Sequence, residues 1–356
     1  MIITPDGRKV VGINGGMRTD PDNRIRTTFT HNPSSLRLSS IDPNLQNIPR
    51  GTDSELERFV KEIFIAPPGS VLWARDYSGI EAVLVGYFSG SARYTRLAKL
   101  GVHAFLASHI LKRPADLGWS DPDLRAYFRE IKQDKSIYDK AKRTVHASNY
   151  MVSPTKLVLE YPEIFPTKRE AAALQGLYFD IFPEIREWHK DLCLRVDGTK
   201  RRPSHLIEGE APDPWTLGVC HAINPFGYVH RFYNVLDWVK DTKNNEWLWE
   251  FGEDAKRLIS FLPQSTASAV LKLAGKRLWV EYPRVARTFR LFIHDEILGE
   301  AELQSVDECL AASRVVMEAP IMELPLDPSW GMGEYLSIGT EAKVGQCWAN
   351  MKGVIE

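Results

Sequence analysis

Cysteine is scarce: Cys193, Cys220, Cys309 and Cys347 are widely spaced among 356 residues, and no two form a Cys-x-x-Cys pair. This spacing argues against structural zinc, offers no disulfide framework and fits the reduced thiols of a cytoplasmic protein. Long apolar runs are missing too. No uninterrupted stretch approaches the roughly 20 residues of a membrane helix, and the opening Met-Ile-Ile-Thr-Pro-Asp-Gly lacks a cationic signal-peptide start. No membrane partner is therefore expected. Neither sign of charge dominates, since 45 Lys and Arg face 46 Asp and Glu. Any nucleic-acid surface must come from segregated charge rather than from an overall basic balance. Repeats and low-complexity tracts are lacking, and 44% hydrophobic with 26% charged residues is the composition of a folded chain of two or three domains, not of a disordered one.

The chemistry-bearing stretch is Arg75-Asp76-Tyr77-Ser78-Gly79-Ile80-Glu81. Val71 and Trp73 alternate with Leu72 and Ala74 as in a strand covered on both faces, and Asp76 falls where that strand stops. A partner lies far downstream in Ile293-His294-Asp295-Glu296, where Arg290 to Ile293 and Ile297 to Ala301 read as a hairpin turning at His294-Asp295. Adjacent strands could then bring Asp76 and Asp295 to one point. Two carboxylates at a sheet edge suit Mg²⁺, which takes oxygen ligands and completes its shell with water and substrate phosphates. Paired ions of this kind serve in-line phosphoryl displacement. Taken singly, each Asp reads first as a turn or cap residue, and it is the surrounding blocks that shift the weight.

Other blocks bear on the same reaction class. Arg37 to Pro49 is a polar loop whose Arg37, Asn44 and Gln46 could bond base edges and sugars in a minor groove, although without the other blocks a surface turn is the favoured reading. A helix follows, with a Ser54/Glu57 capping box and Leu56, Phe59, Val60 and Ile63 on one face. Arg125 to Val152 reads as helical, with Lys142, His146 and Tyr150 at i, i+4 and i+8. A cation one turn before two rings fits a nucleoside triphosphate, and a solvated charged helix with an aromatic stripe fits equally. Ser153-Pro154 stops that helix. Thr167/Glu170 and Pro183-Glu184 open two more, Pro203 to Pro214 reads as a loop, and Asn224-Pro225-Phe226-Gly227 as a turn before His230 and Arg231. Phe261 is expected to open a long helix burying Ala267, Val270, Leu271, Ala274 and Leu278 and ending at Tyr282-Pro283, and Ser305/Glu308 to cap a last one.

The Arg37–Pro49 block, Asp76-Tyr77-Ser78-Gly79-Ile80-Glu81 and His294-Asp295-Glu296, in this order and at these separations, resemble the polymerase domain of family A (polymerase-I-like) DNA polymerases, phage-type members most of all. The resemblance runs from about Arg26 to the C-terminus and implies an α+β right-hand architecture. Its antiparallel-sheet palm (1–90 and 251–356) is split by mostly helical fingers (91–250). It implies dNTP addition to a primer 3′-hydroxyl with release of pyrophosphate, in replication of phage or plasmid type, in a prokaryotic or phage-infected cell. Asp76, Tyr77 and Asp295 would be the ligands of two Mg²⁺ ions, for which Mn²⁺ can substitute. His103 and Lys142 would neutralise nucleotide phosphate. Glu81 paired with Tyr150 would crowd the sugar 2′ position. Gln264 would touch primer or template, and His294 and Glu296 would position the primer end and a water.

The chain departs from the family pattern at named places. Tyr138 stands for an Arg one turn before Lys142, His146 for Phe or Tyr, Met151 for Gly, Gly79 for Gln, Ala82-Val83 for Leu-Arg, and Ser260 for Asn. Lys135, two turns from Lys142 on one face, is the candidate to hold the phosphate tail in place of the Arg. Family members also carry a helical thumb, and often a 3′–5′ exonuclease, before the Arg37 block. The roughly thirty residues ahead of it are too few for either. Either the chain is a fragment or the thumb comes from another polypeptide; the expected partners are primer-template DNA and dNTPs, joined in the second case by a separate thumb, exonuclease or processivity subunit. One alternative is a primer-template-binding subunit of a split polymerase, inactive alone. Another, a single-subunit RNA polymerase relative, is disfavoured by Glu81.

Overall fold

The computed structural model describes residues 19–30, 36–48, 55–198, 220–241 and 246–354. In chain order it begins with β1 (Thr28–Thr30), β2 (Ser39–Ile41), α1 (Glu55–Glu62) and β3 (Ser70–Tyr77). Eight helices follow: α2 (Ile80–Phe88), α3 (Ala92–Leu100), α4 (Val102–Ile110), α5 (Asp121–Ile131), α6 (Lys135–Asn149), α7 (Pro154–Glu160), α8 (Lys168–Ile181) and α9 (Pro183–Gly198). Next come the hairpins β4 (Cys220–Ile223) with β5 (Val229–Phe232) and β6 (Leu236–Asp241) with β7 (Glu246–Phe251). The chain closes with α10 (Ala255–Glu281), α11 (Pro283–Ala286), β8 (Phe289–Ile293), β9 (Glu296–Glu302), α12 (Val306–Met317), β10 (Ile321–Pro325), β11 (Tyr335–Leu336), β12 (Thr340–Gly345) and β13 (Lys352–Gly353).

Two compact units result, one of residues 1–78, 267–322 and 335–356, the other of 79–266 and 323–334. In this division α2 and the first part of α10 go with the helical unit.

The first unit is built on an antiparallel sheet of order β13-β12-β3-β9-β8. Its central strand, β3, is buried from Val71 through Arg75, as its unbroken apolar character predicts. Leu72 and Ala74 pack with Leu45, Ile48, Val60, Leu291, Leu298 and Trp348. On the alternate positions Trp73 donates to Thr288 Oγ1 at 3.1 Å and packs against Phe289. Arg75, with no exposed surface, donates to Ser313 Oγ, Thr340 Oγ1 and the Leu310 carbonyl, each at 2.9 Å. These bonds satisfy a guanidinium whose burial would otherwise be costly.

The second unit is helical because its starts are well capped. Ser91, Ser120, Asp134, Ser153 and Thr167 each accept a hydrogen bond from the backbone N–H three residues on. Tyr94, Phe105, Phe128, Tyr178 and Phe182 form an aromatic interior with edge-on and tilted contacts.

Several expectations are corrected. The 125–152 stretch is two helices, because Asp134 caps α6 and interrupts the run. The long helix starts at Ala255, not Phe261, and carries Pro263 inside it. Among the side chains described on α1, Val60 is buried and Phe59 is 54% exposed, and Ile63 just beyond it is 43% exposed. Ser305 makes no capping hydrogen bond. Ser54 and the Pro203–Pro214 loop lie outside the described residues.

Candidate active site

Strand pairing brings the two acidic motifs together. In β3–β9 register Asp76 faces Glu296, and the main-chain N–H of Tyr77 donates to the Asp295 carbonyl at 3.3 Å. Asp295 sits in the two-residue corner between β8 and β9, where His294 takes a left-handed φ of 55° and is exposed. On the other side of β3, Asp76 faces Glu341 of β12. Burial, reinforced by the Glu296 charge, pushes the Asp76 carboxyl up to about 6, while Lys343 and a hydrogen bond with Asp295 oppose the rise and Glu341 adds to it. Two carboxyls this close are held together by a shared proton, which neutralises one of their two negative charges and which a bound cation can replace. Asp76 Oδ1 is buried and has no hydrogen-bond partner among the described residues. A buried carboxylate oxygen in that state is suited to an ion.

The donor set fits Mg²⁺ in a particular way. Among the described residues no group of three or more His, Cys, Asp or Glu side chains forms a ready cage. Two carboxylates and a main-chain oxygen instead suit an ion that keeps waters and takes its remaining ligands from phosphate.

The Arg37 block is braced rather than free. Asn44 Oδ1 accepts from Ser40 Oγ (3.0 Å) and from the N–H groups of Gln46 (3.1 Å) and Asn47 (3.2 Å), capping a short 3₁₀ turn. The side chain of Gln46, 9% exposed, accepts from Ser40 N (2.9 Å) and donates to the Phe292 carbonyl (2.8 Å). That bond ties the loop to β8 three residues before Asp295, a contact that its polar composition did not reveal. Beside half-buried Arg37, the Leu36 carbonyl accepts from Ser268 Oγ (2.8 Å) and Lys272 Nζ (2.6 Å) of α10. Gln264, also on α10, is partly exposed.

In the helical unit several of the expected nucleotide residues meet. The Tyr150 hydroxyl donates to Glu81 Oε2 at 2.5 Å, and the His146 ring meets Tyr150 edge-on at 5.2 Å. His103, in the first turn of α4, meets Tyr138 of α6 edge-on at 6.2 Å. Burial, with the charges of Lys142, His146 and Lys132, holds the His103 ring down to about 3, so it is neutral at physiological pH. The cation placed over Tyr138 is Lys132, with Nζ 5.8 Å from the ring centre. Lys135 is exposed in the first turn of α6. Sequence reasoning missed Lys132, whose only signal was its place at the end of α5.

Met151 takes a left-handed φ of 54° just after α6. Val152 N bonds Ala147 O (2.8 Å) and Met151 N bonds Ser148 O (3.4 Å), a helix ending in which glycine is the favoured residue. Met151→Gly is therefore expected to stabilise the chain by about 1 kcal/mol, raising Tm by roughly 2–4 °C in a thermal melt. A lowered Tm would contradict this account of the helix end.

The model of DNA polymerase family A matches residues 11–200. Thermostable DNA polymerase I of Thermus caldophilus is 29% identical over 317 residues, 87% of this chain and 32% of the relative. DNA polymerase I of Deinococcus radiodurans is 28% identical over 318 residues, 87% of this chain and 28% of the relative. The chain thus spans about a third of the length of these relatives. Its fold is like that of the POL domain of Pol1 from M. smegmatis, solved in complex with DNA primer-template and dNTP, at a TM-score of 0.60, 23% identity, and coverage of 93% of this chain and 49% of that one. With the family's pattern matched across more than half of its length, the chain belongs to DNA polymerase family A.

Proposed function

We propose that this chain carries out template-directed DNA synthesis. The primer 3′-hydroxyl attacks the α-phosphorus of a paired dNTP, the new O–P bond forms as the bond to pyrophosphate breaks, and the hydroxyl proton passes to water. The observation that carries this reading is the strand pairing that sets Asp76 beside the Asp295 corner, with the buried Asp76 Oδ1 unpartnered among the described residues. Asp76, Asp295 and the Tyr77 carbonyl would hold two Mg²⁺ ions, or Mn²⁺ in their place. Bound there, divalent ions would lower the pKa of the attacking hydroxyl and take up charge on the phosphate oxygens.

The remaining residues contribute position and charge. Lys142 offers a fixed cation to the triphosphate. His103, neutral in the free chain, offers a ring N–H and gains a proton more readily beside phosphate. Lys135 is the further candidate for the phosphate tail, and His146 offers a ring for stacking. Asn44 and Gln46 support the reaction by holding the loop against β8, Arg37 and Gln264 supply polar reach toward primer-template, and His294 and Glu296 flank Asp295.

Tyr150 bonded to Glu81 is suited to crowd a 2′-hydroxyl. Glu81→Ala is therefore expected to raise ribonucleotide incorporation about tenfold relative to deoxynucleotide, read as kcat/KM for each in primer extension. An unchanged ratio in a folded variant would remove the pair from sugar selection. Primer extension by the purified chain with Mg²⁺ and dNTPs tests the whole reading. A folded chain that binds primer-template without extending it would instead favour the subunit of a split polymerase.

A further inference from the structure

One residue before Tyr150, the structure holds a buried polar cluster that the reaction does not use. Asn149 is 3% exposed and ends α6. Its Oδ1 accepts from the hydroxyls of Tyr94 on α3 (3.0 Å) and Tyr178 on α8 (2.5 Å), both fully buried. Its main-chain carbonyl accepts from His189 Nε2 of α9 at 2.9 Å. Burial raises both phenols, Tyr94 to about 12, so each remains a donor. Burial first, and the Arg186 charge after it, lower His189 to about 4, so its ring is neutral and carries the Nε2 proton that the carbonyl accepts. Gln175, one turn before Tyr178 on α8, donates to the Val152 carbonyl at 2.8 Å.

Three helices thus grip the residues on either side of Tyr150. A helix end left in water would fray, and a purely apolar packing would let it slide. Directed hydrogen bonds onto one side-chain oxygen and one carbonyl fix both the axial position and the rotation of the last turn. Tyr150 follows Asn149 directly, and its hydroxyl reaches Glu81 on α2.

We propose that Asn149 is a positioning residue: held by Tyr94, Tyr178 and His189, it sets where the Tyr150 ring stands and thereby how strictly the chain excludes a 2′-hydroxyl. This rests on the reading of Tyr150 and Glu81 as the pair beside the sugar.

The test is primer extension by the full chain, with kcat and KM measured separately for a dNTP and the matching rNTP. Asn149→Leu, which keeps bulk and removes the acceptor, is expected to lower deoxy-over-ribo preference about tenfold, mostly through a lower rNTP KM. Asn149→Asp, which keeps an oxygen for both phenols, is expected to retain most of the preference. Tyr178→Phe, which removes one donor and leaves the ring packing, covers the case in which Asn149→Leu does not fold and is expected to lower the preference in part. Glu81→Ala is measured alongside. If Glu81→Ala relaxes selection while folded Asn149→Leu and Tyr178→Phe do not, the positioning proposal is overturned and the sugar-pair reading stands. If none relaxes it, the sugar-pair reading itself has failed.

Discussion

Asp295→Asn is expected to reduce primer extension by about a thousandfold or more, and Asp76→Asn to do the same, because each removes half of the only paired carboxyl arrangement the mechanism draws on. The two variants should part company in stability. Asp76 is raised to about 6 in the folded chain, from an ordinary value of 3.8, by burial and the Glu296 charge. A group raised on folding contributes stability that is present below its unfolded value and lost as pH climbs through its folded one. Metal-free wild-type chain should therefore lose on the order of 2 kcal/mol between about pH 4 and pH 7 on account of Asp76, and Asp76→Asn should lose less. Melts with chelator across that range, then with added Mg²⁺, read this directly. Wild type is expected to gain Tm on Mg²⁺ addition and Asp76→Asn to gain little. Extension by Asp295→Asn above a tenth of wild type, or identical pH–stability curves for wild type and Asp76→Asn, would refute the assignment of these carboxyls.

The parts of the site that could be read from sequence are those governed by local rules. The apolar run of β3 had to be a covered strand, so Asp76 had to lie at its end, and the tight His294-Asp295 corner had to join two strands. What stayed hidden depends on long-range contact. Tyr94, Tyr178 and His189 lie 55, 29 and 40 residues from Asn149, and no periodicity links them. Glu341 and Lys343 bear on Asp76 only because β12 pairs beside β3. The start of α10 was misplaced for a different reason. A proline usually marks a first turn, yet Leu258, Ile259, Phe261 and Leu262 are all buried around Pro263. That burial, at about 2 kcal/mol per side chain, outweighs the roughly 3 kcal/mol an interior proline costs. The Tyr150–Glu81 bond came from family resemblance alone.

The second large effect is expected at a position that carries no side chain at all. Gly299 lies in the middle of β9, directly opposite Trp73 of β3. A methyl group built there would enter the Trp73 indole, close to its Cε2 and Nε1 atoms. The indole has nowhere to go: it is wholly buried, bonded through Nε1 to Thr288 and packed on Phe289. Gly299→Ala must then push β9 away from β3 or drive Trp73 off its rotamer, at about 3 kcal/mol. Tm should fall by roughly 6–12 °C. Because β9 begins at Glu296, one residue after Asp295, a shifted strand also moves the carboxyl that must meet Asp76, so extension should fall even below the melting transition. Adding Trp73→Leu to Gly299→Ala makes room for the methyl and should recover part of the stability, whereas Trp73→Leu alone leaves a cavity and should destabilise. A Gly299→Ala variant melting within a degree or two of wild type would mean that β3 and β9 do not meet in this register, and with it the juxtaposition of Asp76 and Asp295 would be lost.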